Sequence, residues 1–326
     1  MRTRASATAF VLSALVGSAL SIALAQEGAD SAESYDVPRT PWGDPDLQGV
    51  WDYRNITPLQ RPDDVGDRTF FTDEEAAERE GAAARRMDEA PEEVRGGLVH
   101  AQYWTDPGRH LDESGRTSLI IDPPDGRVPD LTPEAQAREA AARESGGGFG
   151  RGADSYLDRT LMERCITQGF PRAIMPTLYN NNIEIVQSPG HVAIVHEMIH
   201  ETRVVPLDGS DFTGMRNYMG ESRGHWEGDT LVIETRNFNE QVSYQGSGEN
   251  LRLIERYTRV APDRIAFSMT FEDETHWVQP WTVAYSMRPT EGDLFEYACH
   301  EGNYGLRNIL QYARDAEAAE AEAAGN

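Results

Sequence analysis

The sequence contains no lysine, so all 30 of its basic residues are arginine. Schiff-base enzymes, pyridoxal-phosphate enzymes and nucleotide-binding loops of the Walker type are excluded, because each depends on a lysine side chain. Basic charge is scarce overall: 55 acidic residues give the 326-residue chain a formal net charge of −25. The deficit argues against nucleic acid as a partner and against anionic membrane surfaces, since both attract proteins through basic side chains.

Cysteine is almost absent, with only Cys165 and Cys299 in the whole chain. In an oxidising compartment such an even pair suggests a disulfide, and two separate buried thiols are the alternative. A catalytic thiol would need an activating partner. His300 beside Cys299 is a poor candidate for that role, because neighbouring residues on a strand point to opposite faces.

The sequence has only one long apolar run, residues 9–24 near the N-terminus. Two arginines precede it, and the small residues Ala23 and Ala25 stand at the positions that a signal peptidase reads. Residues 1–25 are therefore predicted to be a signal peptide and the mature protein to be periplasmic or secreted, with an uncleaved membrane anchor as the alternative. No other segment reaches the ~20 apolar residues that span a bilayer, so no membrane insertion is expected after signal removal.

Composition divides the rest of the chain into a polar start, one large domain and an acidic end. The predicted segments are a flexible stretch at 26–40, a single β-rich domain at 41–312 and a frayed, Ala/Glu-rich acidic tail at 313–326. Two helical insertions are predicted within the domain, at about 72–90 and 133–145.

Local signals support these helices. Thr72 and Glu75 have the spacing of a capping box, and Pro133 stands where a first-turn proline is favoured. A third, short helix near residues 157–166 is expected to carry Cys165.

After these helices the chain has β character. Eight segments with β-branched or alternating apolar residues are predicted as strands. They are residues 183–187, 192–199, 202–205, 230–235, 251–260, 264–271, 277–287 and 294–299. Short turns separate successive segments, which predicts an antiparallel meander because parallel pairing needs longer crossovers. The predicted fold is mainly β, an antiparallel meander barrel or strongly curved sheet with peripheral helices, and a sandwich is the alternative.

Residues 196–200 read HEMIH and match the HExxH pattern of zinc proteases. That pattern binds zinc on a helix, where both imidazoles lie on one face. Here it continues the β-branched run at 192–195, which favours a strand. On a strand His196 and His200 would lie ~13 Å apart, after four steps of ~3.3 Å, too far to share one ion. No metal site is therefore predicted, and no cofactor, since the motifs that would bind one are missing.

Histidines, carboxylates and aromatic residues cluster in and beside the predicted strands. Some are candidates for acid–base catalysis, because histidine titrates near neutral pH and a carboxylate can orient it. These catalytic candidates are His200, Glu255, His276 and His300. Ligand pockets combine apolar walls with a few convergent polar groups. The ligand-binding candidates are Arg203, Trp226, Tyr257, Trp277, Trp281 and Tyr304. For any single residue, a structural ion pair or a solvated sheet edge is the alternative.

Glu255 interrupts an otherwise apolar strand. Alternation places Leu251, Leu253, Glu255 and Tyr257 on one face of that strand. If this face points inward, Glu255 is a buried carboxylate that needs a partner, and an arginine is the expected one.

Four segments carry a resemblance to a known family. They are Pro41–Trp51, Arg223–Thr235, Glu255–Val260 and Glu296–Tyr304. Together they resemble a family of exported, uncharacterised proteins from environmental bacteria, and the resemblance covers most of the mature chain. It implies export and brings no activity or site residues with it. The tripeptide Gly49-Val50-Trp51 at a first strand, followed by a meander, is also similar to lipocalin-like barrels.

Three functions remain open on the sequence. The first is a small-molecule-binding β-barrel with a partly apolar ligand or substrate, with or without cofactor-free acid–base activity as an isomerase, lyase or hydrolase. The second is a metal-dependent hydrolase that uses some of the eight histidines together with carboxylates. The third is a non-catalytic envelope protein whose acidic surface serves solubility or a protein partner.

Overall fold

The structure of the protein is a computed structural model. It describes residues 35–88, 106–144, 152–242 and 244–325. Two compact units are distinguished, Met1–Asp36 and Val37–Asn326, and the secondary structure below belongs to the second. The predicted signal peptide at 1–25 lies outside the described residues, as does most of the predicted flexible stretch at 26–40.

Ten strands form one antiparallel sheet. In chain order they are β1 (Gly49–Asp52), β2 (Ile120–Asp122), β3 (Asn182–Ser188), β4 (His191–His196), β5 (Thr202–Pro206), β6 (Glu221–Glu227), β7 (Thr230–Arg236), β8 (Arg252–Ala261), β9 (Arg264–Glu272) and β10 (Trp281–Pro289). The order across the sheet is β5-β4-β3-β1-β10-β9-β8-β7-β6, and β2 pairs with β10 off this path. Two meanders, β3–β5 and β6–β10, are therefore joined through β1.

The two strands at the ends of this order, β5 and β6, lie beside each other, so nine strands form a nearly closed barrel. The strands approach closely at Gly224 of β6, where an added Cβ would lie 2.9 Å from Val205 Cγ1 of β5. Glycine is needed at this contact because a side chain would push the two strands apart. The predicted fold, an antiparallel β-barrel with peripheral helices, is confirmed.

Alternation along the strands sends one set of side chains into the barrel. Around β8, the side chains of Leu251, Leu253, Glu255 and Tyr257 are at most 2% exposed, while the residues between them are partly exposed. This is the inward face that the sequence pattern predicts. Burial of such apolar faces is the main stabilising contribution to the fold, at roughly 25 cal/mol per Å² of apolar surface.

The described part of the chain contains three α-helices. They are α1 (Asp73–Asp88), α2 (Pro133–Glu144) and α3 (Tyr304–Ala324). The predicted capping box begins α1: Glu75 N–H donates to Thr72 Oγ1 at 3.2 Å, and Thr72 N–H donates to the Glu75 carboxylate at 2.9 Å. The first turn of α2 is capped by Thr132 Oγ1, which accepts from Ala135 N–H. Both helices lie within two residues of their predicted positions. None of the helices in the described ranges is long and apolar enough to cross a membrane.

The helix expected at 157–166 does not form. The structure has a 3-10 turn at Tyr156–Asp158, followed by further turns. Ser155 Oγ accepts from Leu157 N–H and Thr160 Oγ1 accepts from Glu163 N–H. Such local side-chain bonds compete with helical ones, which explains why successive turns replace the helix.

Two predictions at the C-terminal end are also wrong. Residues 294–299 are irregular rather than a strand, and Phe295 is 82% exposed, so the segment has no buried face to place against the sheet. The tail at 313–326 is not frayed as far as Ala324, because α3 extends through it. Alanine and glutamate are strong helix formers, and Asn303 caps the first turn through Leu306 N–H.

Candidate functional site

The centre of the barrel holds a buried ion pair. Arg203 lies in β5 and Glu255 in β8, and their side chains are 2% and 0% exposed. The guanidinium donates two parallel hydrogen bonds of 2.8 Å, from Nη1 to Glu255 Oε2 and from Nη2 to Oε1. This bidentate geometry is among the strongest for an arginine and a carboxylate. The arginine partner that the sequence predicts for Glu255 is therefore Arg203.

Hydroxyl groups complete the network around this pair. Tyr257 Oη donates to Glu255 Oε1 at 2.7 Å. Ser222 Oγ and Thr235 Oγ1 lie 2.9 Å apart, and each is within 3.5 Å of Arg203 Nη1. Burial, followed by the Glu255 charge, raises the pKa of Tyr257 well above its ordinary value, so the phenol remains a donor. These bonds offset part of the free energy that burying two charges requires.

Residues Gly169–Met175, which we name the plug, enter the barrel at one end. Tyr53 Oη donates to the Ala173 carbonyl at 2.9 Å, and Tyr285 Oη donates to the Ile174 carbonyl. Backbone groups in a barrel interior cannot reach water and need such partners. The barrel side chains therefore hold the plug in place through its main chain.

The plug also contacts the ion pair directly. The Arg203 guanidinium carbon lies 3.7 Å from the centre of the Phe170 ring. Phe170 is 1% exposed, and Glu255 and Tyr257 are completely buried. The structure thus brings together three predicted site residues, Arg203, Glu255 and Tyr257, but it closes them off from solvent.

His196, the last residue of β4, links the plug to the ion pair. Its Nδ1 lies 3.0 Å from the Ala173 carbonyl oxygen, and its Nε2 lies 3.4 Å from Arg203 Nε. A carbonyl can only accept and a guanidinium can only donate, so the ring is neutral with its proton on Nδ1. Burial, followed by the Arg203 charge, lowers the pKa of His196 to about 3. We infer a structural role for this histidine near neutral pH.

The HExxH residues form neither a helix nor a continuous strand. β4 ends at His196, and Met198–His200 form a 3-10 turn in which Ile199 and His200 have φ values of 55° and 43°. The strand predicted through Ile199 is wrong, because two residues with positive φ turn the chain toward β5. His196 is buried, whereas His200 is exposed, with Nδ1 3.1 Å from the Tyr297 carbonyl oxygen. Within the described ranges, no three His, Cys, Asp or Glu side chains are placed to hold a metal ion.

The other two candidate histidines have different surroundings. His276 is buried before β10, where Nε2 donates to the Gln245 carbonyl at 2.7 Å and Nδ1 lies 3.4 Å from Arg138 Nη2 of α2. With both ring nitrogens engaged, His276 connects α2 to the loop between β7 and β8 and has no free nitrogen for a substrate. His300 is exposed. Among the described contacts, none joins His200, His276 and His300 to one another, and their convergence in one pocket stays a prediction.

The aromatic candidates are distributed between core and surface. Trp281 stacks on Phe271 with 3.9 Å between ring centroids, and Trp277 meets Trp281 edge-on at 5.5 Å. Both tryptophans are at most 2% exposed. Trp226 packs partly buried against the same core, while Tyr304 at the start of α3 is 69% exposed. These positions make the two buried tryptophans part of the packing of the barrel end.

Cys165 and Cys299 form a disulfide across a separation of 134 residues, with their Cα atoms 5.7 Å apart. The bond attaches the chain after β10 to the turns that precede the plug. Asn303 adds to this attachment, because its Nδ2 donates to the Glu163 carbonyl at 2.8 Å. The turns beside Cys165 are thereby fixed to the C-terminal segment.

A cavity of about 430 Å³ lies at the barrel end that receives the plug, and we name it the mouth cavity. Its lining consists of Thr160, Leu161, Met162, Thr167, Gln168, Gly169, Arg172, Thr177, Leu178, Tyr179, Met198, Gln241 and Val242. The strand register explains why these residues meet: β3 begins, β4 ends, β7 ends and β8 begins at this end of the barrel. The loops beyond those strand ends supply the walls.

The described lining of the mouth cavity combines apolar and polar residues. Five of its thirteen residues are leucine, methionine or valine, and the polar ones are three threonines, two glutamines, Tyr179 and Arg172. Behind the wall, Glu201 accepts hydrogen bonds from Thr167 Oγ1 and Gln168 N–H. Burial raises the pKa of Glu201 above its ordinary value in spite of these donors. Glu201 thus fixes Thr167 and Gln168, two residues of the lining.

A larger cavity of about 640 Å³, the outer cleft, is lined by residues of α1, β10 and the connecting loops. Its lining is strongly charged, but the charges are matched within the protein. Arg54 pairs with Asp52 and Asp106, and Arg288 pairs with Glu113. The outer cleft therefore presents mainly groups that already have partners.

Sequence reasoning missed the plug and the mouth cavity. No motif marks Gly169–Met175, and Arg172 is one of 30 arginines. Thr235 was not a candidate either, because isolated hydroxyl residues are common on strands. Only the inward alternation around Glu255 pointed to the buried network.

Comparisons with known proteins add no family to these observations. No protein-family model matches the sequence, and no curated protein matches it significantly. Function must therefore be argued from the geometry and chemistry of the site itself.

Proposed function

We propose that this protein is an exported β-barrel protein that binds a small, partly apolar molecule in the mouth cavity. The observation that carries the proposal is the lining of that cavity, in which leucine, methionine and valine lie beside threonine, glutamine, tyrosine and arginine within about 430 Å³. Small-molecule sites are typically concave, with volumes of roughly 300–1,000 Å³, and combine apolar surface with polar groups that fix the orientation of the ligand.

The position of the cavity favours the mouth of the barrel over its interior. In lipocalin barrels the ligand occupies the interior. Here Phe170 and the Arg203–Glu255 pair lie in the interior and are almost completely buried. A ligand in the mouth cavity would rest on the outer side of the plug, next to Gly169 and Arg172.

The lining also favours binding over acid–base catalysis. None of the described residues that line the mouth cavity is a histidine, aspartate or glutamate. These are the commonest general acids and bases, and of the other residue types that act so, the described lining contains only Tyr179. We therefore place the binding function first.

Two observations support export. The N-terminal pattern at residues 1–25 is that of a signal peptide. The Cys165–Cys299 disulfide suits an oxidising compartment, where such bonds persist. Mass spectrometry of the protein from its periplasmic or secreted fraction should find a mature N-terminus near Gln26, and an intact N-terminus would contradict export by cleavage.

The binding proposal is tested with a variant that fills the cavity. Gln241 is exposed and lines the mouth cavity, so Gln241→Trp adds bulk there without disturbing the core. Thermal unfolding is measured against a panel of aromatic, terpenoid and sugar ligands. A ligand at 100 times its Kd stabilises the folded state by ~2.7 kcal/mol, which raises the melting temperature measurably. We expect Gln241→Trp to abolish this rise.

The matched control is Gln136→Trp, which adds the same side chain at an exposed position in α2. It should retain the wild-type response. A response that persists in Gln241→Trp would place binding elsewhere. A panel without any response would leave the non-catalytic envelope protein as the better hypothesis.

A further inference from the structure

Among the described residues that line the mouth cavity, Arg172 is the one with a charged side chain. It belongs to a 3-10 turn of the plug, Arg172–Ile174, whose other two residues are at most 1% exposed. Main-chain bonds hold the turn, from Ala173 N–H to the Gly169 carbonyl and from Met175 N–H to the Arg172 carbonyl. The backbone of Arg172 is therefore fixed by the barrel while its side chain stays exposed in the cavity.

The guanidinium of Arg172 has no carboxylate partner among the described residues. Its contact there is with the ring of Tyr244, 5.8 Å from the guanidinium carbon. Partly exposed arginines of this acidic protein, such as Arg252 and Arg256, form ion pairs of 2.5–2.8 Å. The guanidinium thus keeps its hydrogen-bond donors free on the side of the cavity.

Two further polar groups lie beside this cation. Gln168 and Gln241 line the same cavity, and within the described part of the molecule neither side-chain amide has a hydrogen-bond partner. An arginine presents two parallel donors that match a planar carboxylate, and an amide can donate a third bond. A single positive charge matches a monoanion better than a doubly charged phosphate ester.

From this arrangement we infer that the ligand of the mouth cavity is a small monocarboxylic acid with an apolar body. Its carboxylate pairs with Arg172, and the apolar body lies against the wall that contains Leu161, Leu178 and Met198. The inference rests on the proposed function, since it assigns the ligand class of the same cavity. The fixed backbone of Arg172 reduces the ordering that binding requires.

The test uses two probes of similar size that differ in charge, 4-phenylbutyrate and 4-phenylbutanol, measured by isothermal titration calorimetry at pH 7. In the wild-type protein we expect the carboxylate to bind about tenfold more tightly than the alcohol, because a hydrogen bond to a charged group is stronger than a neutral one. Arg172→Gln should remove about this factor for the carboxylate and leave the alcohol within roughly twofold. Arg172→Lys keeps the charge without the planar fork and should lie between the two.

Arg116→Gln is the matched control. Arg116 also lies over an aromatic ring, that of Phe70 at 5.4 Å, and it is outside the mouth cavity. The substitution changes the net charge equally and should leave both affinities unchanged, which separates a local contact from a general charge effect.

The outcomes separate this inference from the proposal beneath it. Equal binding of acid and alcohol, unaffected by Arg172→Gln, would overturn the carboxylate assignment and leave a neutral-ligand site. Loss of carboxylate binding in Arg116→Gln to the same degree would also overturn it. If neither probe and no member of the ligand panel binds, the mouth cavity is not a binding site and both ideas fail.

Discussion

Two arginines on either side of the plug have opposite environments. Inside the barrel, Arg203 is buried, lies 3.7 Å from the Phe170 ring and makes two 2.8 Å bonds to Glu255. Outside, Arg172 is exposed, lies 5.8 Å from the Tyr244 ring and has no described ion pair. The same side-chain chemistry therefore serves the fold on one side of the plug and is free for a ligand on the other.

This difference distinguishes an arginine that stabilises the fold from one that is available to a ligand. A buried arginine with a bidentate carboxylate and a stacked ring has its donors satisfied, so a ligand could reach it only by displacing protein groups. An exposed arginine with a fixed backbone, in a partly apolar cavity, has unsatisfied donors that a ligand can use. Clusters in sequence do not make this distinction, since the predicted candidates included Arg203 and not Arg172.

The largest change in stability is expected when the ion pair between Arg203 and Glu255 is broken. Glu255→Gln leaves the Arg203 charge buried without its counter-ion, and we expect a loss of about 3–5 kcal/mol in the free energy of unfolding. Urea unfolding followed by tryptophan fluorescence measures this change. A loss below about 1 kcal/mol would show that the interior arginine does not depend on its pair.

The double variant Arg203→Met/Glu255→Leu sharpens the same comparison. Both charges are removed, so no unpaired ion remains, and replacement of buried pairs by apolar residues is often nearly neutral. We expect it to be clearly more stable than Glu255→Gln. The reverse order would mean that the hydroxyl groups of Ser222, Thr235 and Tyr257 require the ion pair as their partner.

A smaller effect is expected from pH, through His196. The unfolded chain binds a proton at this residue near pH 6.5, whereas burial keeps the folded pKa at about 3. Between these values the unfolded state binds more protons than the folded state. The contribution of His196 to the free energy of unfolding is therefore greatest above pH 6.5, and it decreases by about 1.4 kcal/mol for each unit by which the pH is lowered. Urea unfolding at pH 7, 6 and 5 measures the slope.

Two variants isolate this contribution. His196→Gln does not titrate and should flatten the slope between pH 7 and 5, even if it lowers stability at pH 7. His300→Gln, which removes an exposed histidine without a described ion pair, is the control. Equal slopes in wild type and His196→Gln would contradict the neutral, buried state of His196.

The smallest effect is expected at Arg172. Arg172→Gln changes an exposed side chain without a described ion pair, so the free energy of unfolding should change by less than about 0.5 kcal/mol. Thermal and urea unfolding without ligand give this value. A loss comparable to that of Glu255→Gln would mean that Arg172 is structural, and the contrast between the two arginines would disappear.

Much of the fold could be predicted because its signals are local. The capping box of Thr72 and Glu75 depends on residues three apart, and the antiparallel meander follows from short turns between alternating segments. The inward face of β8 follows from the two-residue period, and the arginine partner of Glu255 follows from the penalty of burying a lone charge.

The site was much harder to predict because it depends on distant contacts. Arg203 is 52 residues from Glu255, and the plug touches Tyr53 and Tyr285, which are more than 100 residues away on either side. His196 and His200 are four residues apart, but the turn after β4 leaves one buried and the other exposed. In that turn Ile199 and His200 adopt positive φ values, which residues other than glycine rarely do.

By itself the sequence determined the antiparallel β-strands, two of the helices and the presence of a buried carboxylate, because periodicity and capping act between near neighbours. Which arginine meets that carboxylate, which segment enters the barrel and which arginine remains free at its mouth were decided only in three dimensions. The physical reason is that strand pairing fixes where each loop ends, and only the assembled barrel determines which charges find partners and which face a cavity.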